Sequence, residues 1–311
     1  MSDNTKVMAY DAEGNYTEFK VLDEELQPPV NEFKRFWRVF FRRKVVLIGF
    51  IFCIIIILCA IFANVITPYD PNAADYYNVL GAPSAQHLLG TDTLGRDLLC
   101  RIIYGSRIAL AVGVITVLVS AAIGTLIGLF AGYAEGIVQD VIMRITDALM
   151  AIPSLILQLL ISAVLGHGVI GVVVAISITL FPGYIRLING QVQSVKQNDY
   201  VKAEQSMGAT KSRILFKHIL PNCVSPLIVQ MTMMMGVAIL SEASLSFLGL
   251  GITPPTPAWG SMCYDGYQYL LTNPLLSIAP GLVTMLLVLA FNMVGDGLRD
   301  ALDPRLRGSL K

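Results

Sequence analysis

The chain has 311 residues, of which 55% are hydrophobic and only 14% are charged. Soluble globular domains contain about 45 to 50% apolar and about 25% charged residues, so this composition excludes an ordinary soluble domain and predicts an integral membrane protein. Lysine and arginine together number 22, as do aspartate and glutamate. This balance gives no indication of a nucleic-acid partner.

Hydrophobic windows long enough to cross about 30 Å of hydrocarbon predict six transmembrane helices. They cover residues 45–66, 108–131, 146–165, 169–188, 223–250 and 275–295. The first window follows the basic stretch FKRFWRVFFRRK, which is the charge order of a secretory signal peptide. However, it begins far into the chain and is longer than the roughly 7 to 15 apolar residues of a signal peptide. We therefore expect an uncleaved first span.

The distribution of lysine and arginine predicts the orientation of these spans. With both termini in the cytoplasm, only Arg96, Arg101 and Arg107 of the 22 basic residues lie outside. The positive-inside rule therefore predicts a multi-pass protein with cytoplasmic termini. Its predicted parts are a cytoplasmic tail (1–44), the first transmembrane helix (45–66), an external loop with an interfacial helix (67–107), a transmembrane domain (108–296) and a cytoplasmic C-terminal tail (297–311).

Two regions outside the membrane core carry weaker patterns. Residues 1–33 are polar and acidic overall, which predicts a flexible tail with little structure of its own. In the external loop, leucine, isoleucine and tyrosine recur at helical spacing from Thr93 onward, with arginine between them. This pattern is typical of a helix that lies at the membrane interface.

The second span repeats a small residue at every fourth position. These positions are Ser120, Gly124, Gly128, Gly132 and Gly136. On a helix they form one stripe that lets a neighbouring backbone approach closely, as in the small-xxx-small pattern of membrane helices. We expect Gly124, Gly128 and Gly132 to be packing positions and the second span to be central in the bundle.

The segment DYVKAEQSMGATKSRILFKHILPN, residues 199–222, is unusually polar for a region between two hydrophobic windows. Its first part predicts a short helix that ends at Gly208. Thr210 or Ser212 can cap a second helix, which we expect Pro221 to end. Two roles suit such a segment: insertion into a groove of a cytoplasmic partner protein, or an amphipathic helix lying on the membrane surface.

Motifs for catalysis or cofactor binding are weak or missing from the sequence. GHGVIG at 166–171 matches GxGxxG, but it is a short turn between two spans and no acidic residue follows at the required distance. No GxxxxGK[ST] loop occurs, so we do not expect the chain to hydrolyse ATP itself. The three histidines and five cysteines show no metal-ligand or disulfide spacing. We therefore expect no catalytic residue, metal or cofactor.

Glu242 is the one acidic residue well inside a predicted span, since Asp147 and Asp296 lie close to the ends of theirs. Ionisable groups within a membrane are functional hypotheses by default. Its carboxyl can bond a neighbouring helix, line or gate a translocation path, or couple an ion in a secondary transporter. Secondary transporters usually have several such groups near mid-membrane, which favours a structural or gating role and leaves ion coupling as the alternative.

Several segments in order resemble the C-type permease subunit of the dipeptide, oligopeptide and nickel importers, which are binding-protein-dependent ABC importers. AEQSMGATKSRILFKHILPN resembles the EAA loop of these permeases. The other segments are HLLGTDTLGRDLLCRIIYGSRIAL, MRITDALMAIPSLIL, SEASLSFLGLGITPPTPAWG and GDGLRDALDPRLRG. The resemblance covers nearly all of residues 45–308. It implies an all-α permease of the type I ABC importer fold in the inner membrane, with one extra N-terminal helix before a five-helix core.

The resemblance implies a function and partners for the chain. It implies a permease subunit that translocates di- or oligopeptides while partner subunits hydrolyse ATP. The implied partners are a second homologous permease, two cytoplasmic ABC ATPase subunits, an external solute-binding protein and membrane lipid. Nickel chelates, glutathione or another small solute are alternative substrates, and an ion-coupled secondary transporter using Glu242 is the alternative class.

By the same resemblance, the 199–222 segment is the coupling helix that enters a groove of the ATPase. The residues implied to couple are Lys202, Ala203, Glu204, Gly208, Ala209, Leu220 and Pro221. The family motif begins acid-Ala-Ala, whereas this chain has Lys202, Ala203 and Glu204. The acid is displaced and a lysine takes its place, while the glycine turn and the Leu-Pro pair are retained. We therefore expect docking with different salt-bridge partners.

Overall fold

The computed structural model describes residues 6–10, 16–20, 32–134 and 136–302. Its elements are strands β1 (Lys6–Tyr10) and β2 (Tyr16–Lys20) and helices α1 (Glu32–Phe40), α2 (Lys44–Ile66), α3 (Leu98–Tyr133), α4 (Ile137–Ala151), α5 (Ser154–Leu165), α6 (Val169–Lys196), α7 (Asp199–Ser206), α8 (Lys211–Arg213), α9 (Leu220–Phe247), α10 (Trp259–Tyr267) and α11 (Leu275–Leu302). A π-helical turn, Ile214–Ile219, joins α8 to α9.

The N-terminal tail contains more structure than the sequence indicates. Strands β1 and β2 pair as an antiparallel hairpin in which Lys6 lies opposite Lys20. The prediction of little structure in residues 1–33 is therefore wrong for this hairpin, because backbone pairing is not visible in composition. Helix α1 begins at the end of that region and packs against α11.

The membrane part is all α-helical, as predicted. Within the described ranges, α2, α3, α6, α11 and the continuous helix Lys211–Phe247 are long and apolar enough to cross a membrane. We call Lys211–Phe247 the α8–α9 span. Helices α4 and α5 pass the same test only as a pair, so counting that pair as one span gives the six that were predicted. Helices suit the bilayer because they satisfy their backbone hydrogen bonds internally.

The third predicted span, 146–165, is not a straight helix. Helix α4 ends at Ala151 because Pro153 has no N–H and disfavours a helical conformation at the preceding residue. Ile152 is extended, with φ −81° and ψ 128°. The chain consequently bends by 91° between α4 and α5, and α5 then packs against α6.

Helix α3 is longer than the predicted second span. The interfacial helix expected from Thr93 onward is not a separate element, because residues 98–107 form the first turns of α3. Asp97 caps this helix by accepting a hydrogen bond from the Cys100 backbone N–H at 2.6 Å. No proline follows before residue 133, so nothing ends the helix ahead of the hydrophobic window.

Arg101, predicted to lie in the external loop, is buried, with 1% of its surface exposed. Its Nη1 donates to the carbonyl of Pro71 at 2.7 Å and to that of Pro255 at 3.4 Å. Its Nε lies 3.5 Å from Asp92 Oδ2. A buried guanidinium needs such partners. They connect the segment 67–97 and the chain after α9 to the start of α3. We call the end of the bundle that carries α7 the α7 end, and the end that carries Arg101 the opposite end.

Glycines of α3 form its contact with α6, which runs beside it in the same direction. A Cβ added at Gly124 would lie 2.5 Å from Tyr184 Cβ, and one added at Gly132 would lie 2.6 Å from Val192 Cβ. At Gly128 it would lie 2.9 Å from a backbone carbonyl oxygen of α6. Only glycine lets the two backbones approach so closely. The glycine stripe therefore fixes the position of α6 in the bundle.

We predict that Gly124→Ala destabilises the protein and that Gly190→Ala does not. The added methyl group at Gly124 must displace α6, at a cost of about 1 to 3 kcal/mol. Gly190 is also helical, but a Cβ there meets no atom within 4 Å, so alanine adds only helix propensity, up to about 1 kcal/mol. Thermal unfolding of the purified chain in detergent micelles compares the two variants. Equal midpoints would contradict the proposed contact.

Candidate functional site

The polar segment 199–222 lies at the α7 end, between α6 and the α8–α9 span. Gly208 ends α7 at the position that the sequence indicates, with φ +80°. Its N–H donates to the Gln205 carbonyl, and the Ala209 N–H donates to the Glu204 carbonyl, both at 3.0 Å. This pair of bonds is the Schellman motif, in which glycine is preferred because a Cβ is disfavoured in the left-handed conformation. The turn therefore sets the angle between α7 and α8.

The second helix of this segment does not end at Pro221. Thr210 caps α8, since its side chain accepts a hydrogen bond from the Arg213 N–H at 3.4 Å. The π-helical turn Ile214–Ile219 then leads into α9 without a break. Pro221 lies in the first turn of α9, where the wider π turn precedes it and a missing N–H is tolerated. The predicted helix end is therefore wrong, and the α8–α9 span begins within the polar segment.

Helix α7 is attached to the bundle by a buried apolar contact. Val201 is completely buried, with 0% of its surface exposed. It belongs to an apolar cluster whose other buried members come from α3, α6, the π turn and α9: Leu129, Ile188, Val192, Val195, Ile214, Ile219 and Cys223. Burying a valine side chain contributes about 1.5 to 3 kcal/mol. The cluster therefore fixes the orientation of α7.

Glu204, the displaced acid of the motif, has partners within the chain. Its carboxylate lies 3.9 Å from Arg213 Nε and 3.5 Å from His218 Nε2. These contacts connect α7 to α8 and the π turn. Lys202 instead pairs with Asp199 at 3.6 Å, and both of these side chains are mostly exposed, so their pair contributes at most about 1 kcal/mol. Glu204 therefore faces the protein, whereas Lys202 faces away from it.

The outward side of α7 is open and carries both polar and apolar groups. Its exposed residues, with the one that follows the helix, are Asp199, Tyr200, Lys202, Ala203, Gln205, Ser206 and Met207. Met207 is 74% exposed. Of the other positions implied to couple, Ala209 and Leu220 pack against the apolar cluster, and Pro221 is exposed. The surface that a partner can contact is therefore centred on α7.

Glu242 lies far along the α8–α9 span, toward the opposite end. It is 1% exposed, and its Oε1 accepts a hydrogen bond from Ser246 Oγ at 2.7 Å. The Ile252 backbone N–H donates in turn to Ser246 Oγ at 3.0 Å. This short network links the last turns of α9 to the chain that follows it. The geometry favours a structural role for the carboxyl.

Gln158 is a polar contact that sequence reasoning missed. It is 2% exposed, and its Nε2 donates to Thr179 Oγ1 at 2.9 Å and to Ser241 Oγ at 3.4 Å. These bonds connect α5 to α6 and α9. The available signal was a single amide in the otherwise apolar run SLILQLLI, since such side chains usually bond across membrane helices.

The described residues contain no group of three His, Cys, Asp or Glu side chains that could hold a metal ion. His87 and His218 lie at opposite ends of the bundle, beside Asp97 and Glu204 respectively. Among the described residues, the open side of α7 is the candidate functional surface.

Comparison with known proteins gives the family. The model of the family described as "Binding-protein-dependent transport system inner membrane component" matches residues 124–308. A second family, "N-terminal TM domain of oligopeptide transport permease C", matches residues 31–83. The chain is 44% identical over 288 residues to a glutathione transport system permease protein of Pectobacterium atrosepticum, covering 92% of this chain and 95% of the relative. It is 45% identical over 289 residues to the Escherichia coli protein of the same description, covering 93% and 94%.

The fold is also similar to two structures of the MetNI methionine ABC transporter in inward-facing conformations. The TM-scores are 0.53 and 0.55, at 18% identity, and each match covers 66% of this chain and 98% of the other. At this identity the likeness shows the fold alone, and it confirms the predicted ABC importer permease fold. The matches in sequence show that the chain belongs to the family of binding-protein-dependent ABC importer permeases and is a membrane component of such a transport system.

Proposed function

We propose that α7 is the element through which ATP hydrolysis on a partner subunit drives this permease. The observation that carries the proposal is that one short helix has a fixed side and an open side: Val201 is buried, whereas Ala203 and Met207 are exposed. A helix that lies on a membrane surface directs its apolar side into lipid, but the buried apolar side of α7 faces the bundle. The open side therefore suits insertion into a groove of a protein partner.

The α8–α9 span is the proposed lever. Helix α7 contacts it through Glu204 and the apolar cluster around Val201. The span has 37 residues, which corresponds to about 55 Å at 1.5 Å per residue. Its far part carries Glu242 and Ser246, which hold the following chain in place. A push on α7 would therefore move the opposite end, where the solute enters.

We infer that the α7 end and both termini are cytoplasmic. The support is the charge distribution, with all but three of the 22 lysines and arginines on that side.

The proposed partners supply the functions that this chain lacks. The sequence contains no phosphate-binding loop, so the proposal assigns ATP binding and hydrolysis to two partner ATPase subunits. A solute-binding protein delivers the solute at the opposite end. A second homologous permease completes the membrane part. An apolar groove of about 540 Å³ between α9, α10 and α11 offers it a contact surface.

The proposed solute is a small peptide, with glutathione as the first candidate. Relatives at 44% and 45% identity are described as glutathione transport permeases, and residues 31–83 match a domain of an oligopeptide permease. Glutathione is itself a tripeptide, so both observations support the same chemical class. Other di- and oligopeptides are the second candidate. The family to which the chain belongs is described as a binding-protein-dependent transport system. This description does not support ion coupling through Glu242.

Ala203→Arg is predicted to prevent docking of the ATPase subunits. The long charged side chain would stand at the centre of the open side of α7, and a loss of at least about 1.4 kcal/mol in binding would lower association tenfold or more. Co-purification of the ATPase with the full complex measures this loss. Gln268→Arg is the matched control, because Gln268 is exposed at the opposite end. Full retention of the ATPase with Ala203→Arg would show that α7 is not the docking surface.

Gly208→Val is predicted to uncouple transport, whereas Gly208→Asn is tolerated. A left-handed backbone costs a β-branched residue about 1 to 2 kcal/mol or more, and asparagine adopts it readily. A Cβ at Gly208 meets no atom within 4 Å, so the comparison tests the turn conformation rather than side-chain size. ATPase stimulation by the loaded binding protein is the measurement. If both variants lose the same activity, the turn angle is not what the partner senses.

We also predict that glutathione uptake depends on ATP and not on an ion gradient. Proteoliposomes with the full complex and enclosed ATP should import labelled glutathione equally with and without an uncoupler. Glu242→Gln should retain uptake within about twofold, since an amide oxygen can still accept the Ser246 hydrogen bond. Collapse of uptake on dissipating the gradient, with ATP constant, would contradict the mechanism. Uptake of dipeptides but not glutathione would change the solute and leave the mechanism intact.

A further inference from the structure

Helix α1 and the start of α2 form a basic and aromatic surface that has no part in the proposed transport mechanism. The basic residues of this surface are Lys34, Arg35, Arg38, Arg42, Arg43 and Lys44. Aromatic rings run through it from α1 into α2, with neighbouring centroids 4.9 to 6.5 Å apart: Phe33, Phe36, Trp37, Phe40, Phe41 and Phe50. We call it the α1 surface.

The α1 surface is held firmly against the bundle. Val39 and Phe40 are buried, with 5% and 3% exposure, in an apolar cluster that includes Val46 and Ala301. Arg43 adds an ion pair to Asp300 of α11 at 2.9 Å. These contacts connect α1 to both α2 and α11. Helix α1 therefore has a defined orientation relative to the spans.

The side of α1 that does not face the bundle combines exposed rings and exposed cations. Phe33 is 70% exposed and Trp37 is 37% exposed. Arg38 and Arg42 are exposed as well, and among the described residues neither has an acidic group within 4 Å. Exposed guanidinium groups that have no acidic partner among the described residues are suited to bind an anion.

The short connection between α1 and the first span, α2, indicates the depth of α1 in the membrane. Only residues 41–43 separate α1 from α2, whose outward side is apolar from its first turn, with Val45 51% and Ile48 62% exposed. These side chains face lipid in a membrane, so α1 lies where the hydrocarbon meets the headgroups. Tryptophan and basic residues are the usual anchors at this depth.

We propose that the α1 surface is a binding site for anionic phospholipid headgroups. The guanidinium groups of Arg38 and Arg42 pair with the phosphate, and the rings of Phe33 and Trp37 lie against the upper part of the acyl chains. A lipid accounts for the lack of acidic partners in the described part of the chain and also for the exposed rings. An acidic protein segment would leave those rings in contact with water. The inference needs only that α2 spans the membrane, so it is independent of the proposed transport mechanism.

Trp37 provides a direct test in the full chain. The protein has two tryptophans, and the other, Trp259, is buried. The full chain is reconstituted in phosphatidylcholine vesicles with an equal small fraction of either brominated phosphatidylglycerol or brominated phosphatidylcholine, and fluorescence quenching is compared. Trp37→Phe gives the signal that does not come from α1. We expect the anionic lipid to quench Trp37 more strongly, and high salt to reduce the difference.

The cations are tested with a double variant and a matched control. Each cation near an anionic surface contributes a factor of roughly five in binding, so Arg38→Gln with Arg42→Gln should lower the preference for phosphatidylglycerol by roughly tenfold or more. Lys202→Gln with Lys217→Gln removes the same charge from exposed residues at the α7 end and should leave the preference unchanged. Equal quenching by both lipids would overturn the proposal, as would no quenching by either, which would indicate that protein covers α1. An equal loss in the control would mean that net charge alone attracts the lipid, and this too would overturn it.

Discussion

The close contact between α3 and α6 is the interaction on which the position of α7 depends. Three glycines of α3 let the backbone of α6 approach, and the last of them, Gly132, meets Val192 near the end of α6. Val192 also belongs to the apolar cluster that buries Val201. Because α7 follows α6 after only two residues, the glycine contact positions α7 as well as α6. The glycine contact between two spans thus also determines where α7 lies on the surface of the protein.

The polar segment after α6 combines a rigid attachment with an open surface. Val201 and Glu204 face the protein, where the first packs in the apolar cluster and the second lies near Arg213 and His218. The exposed residues lie on the other side, where a partner can contact them. Since the segment continues into the α8–α9 span without a break, we expect a displacement of the segment to move the span. This is the physical basis of the proposed lever.

Local signals in the sequence were enough for some features. The hydrophobic windows located every span to within a few turns, and Gly208 marked its turn, because segment hydropathy and turn chemistry depend on nearby residues. Features that depend on distant residues were either missed or predicted wrongly. Arg101 is buried because its partners come from Asp92, Pro71 and Pro255. The helix end predicted at Pro221 was wrong for a local reason, since the π turn directly before Pro221 lets the helix continue. The bend at Pro153 had a local signal that the hydrophobic window concealed.

Cross-linking can test directly whether the open side of α7 touches the ATPase in the working complex. A photo-reactive amino acid at position 207, where Met207 is 74% exposed, would be compared with one at position 268, which is exposed at the opposite end. Illumination of membranes that contain the full complex should join position 207, and not position 268, to the ATPase subunit. Failure of position 207 to react with the ATPase, while the complex remains active, would contradict docking of the ATPase on α7.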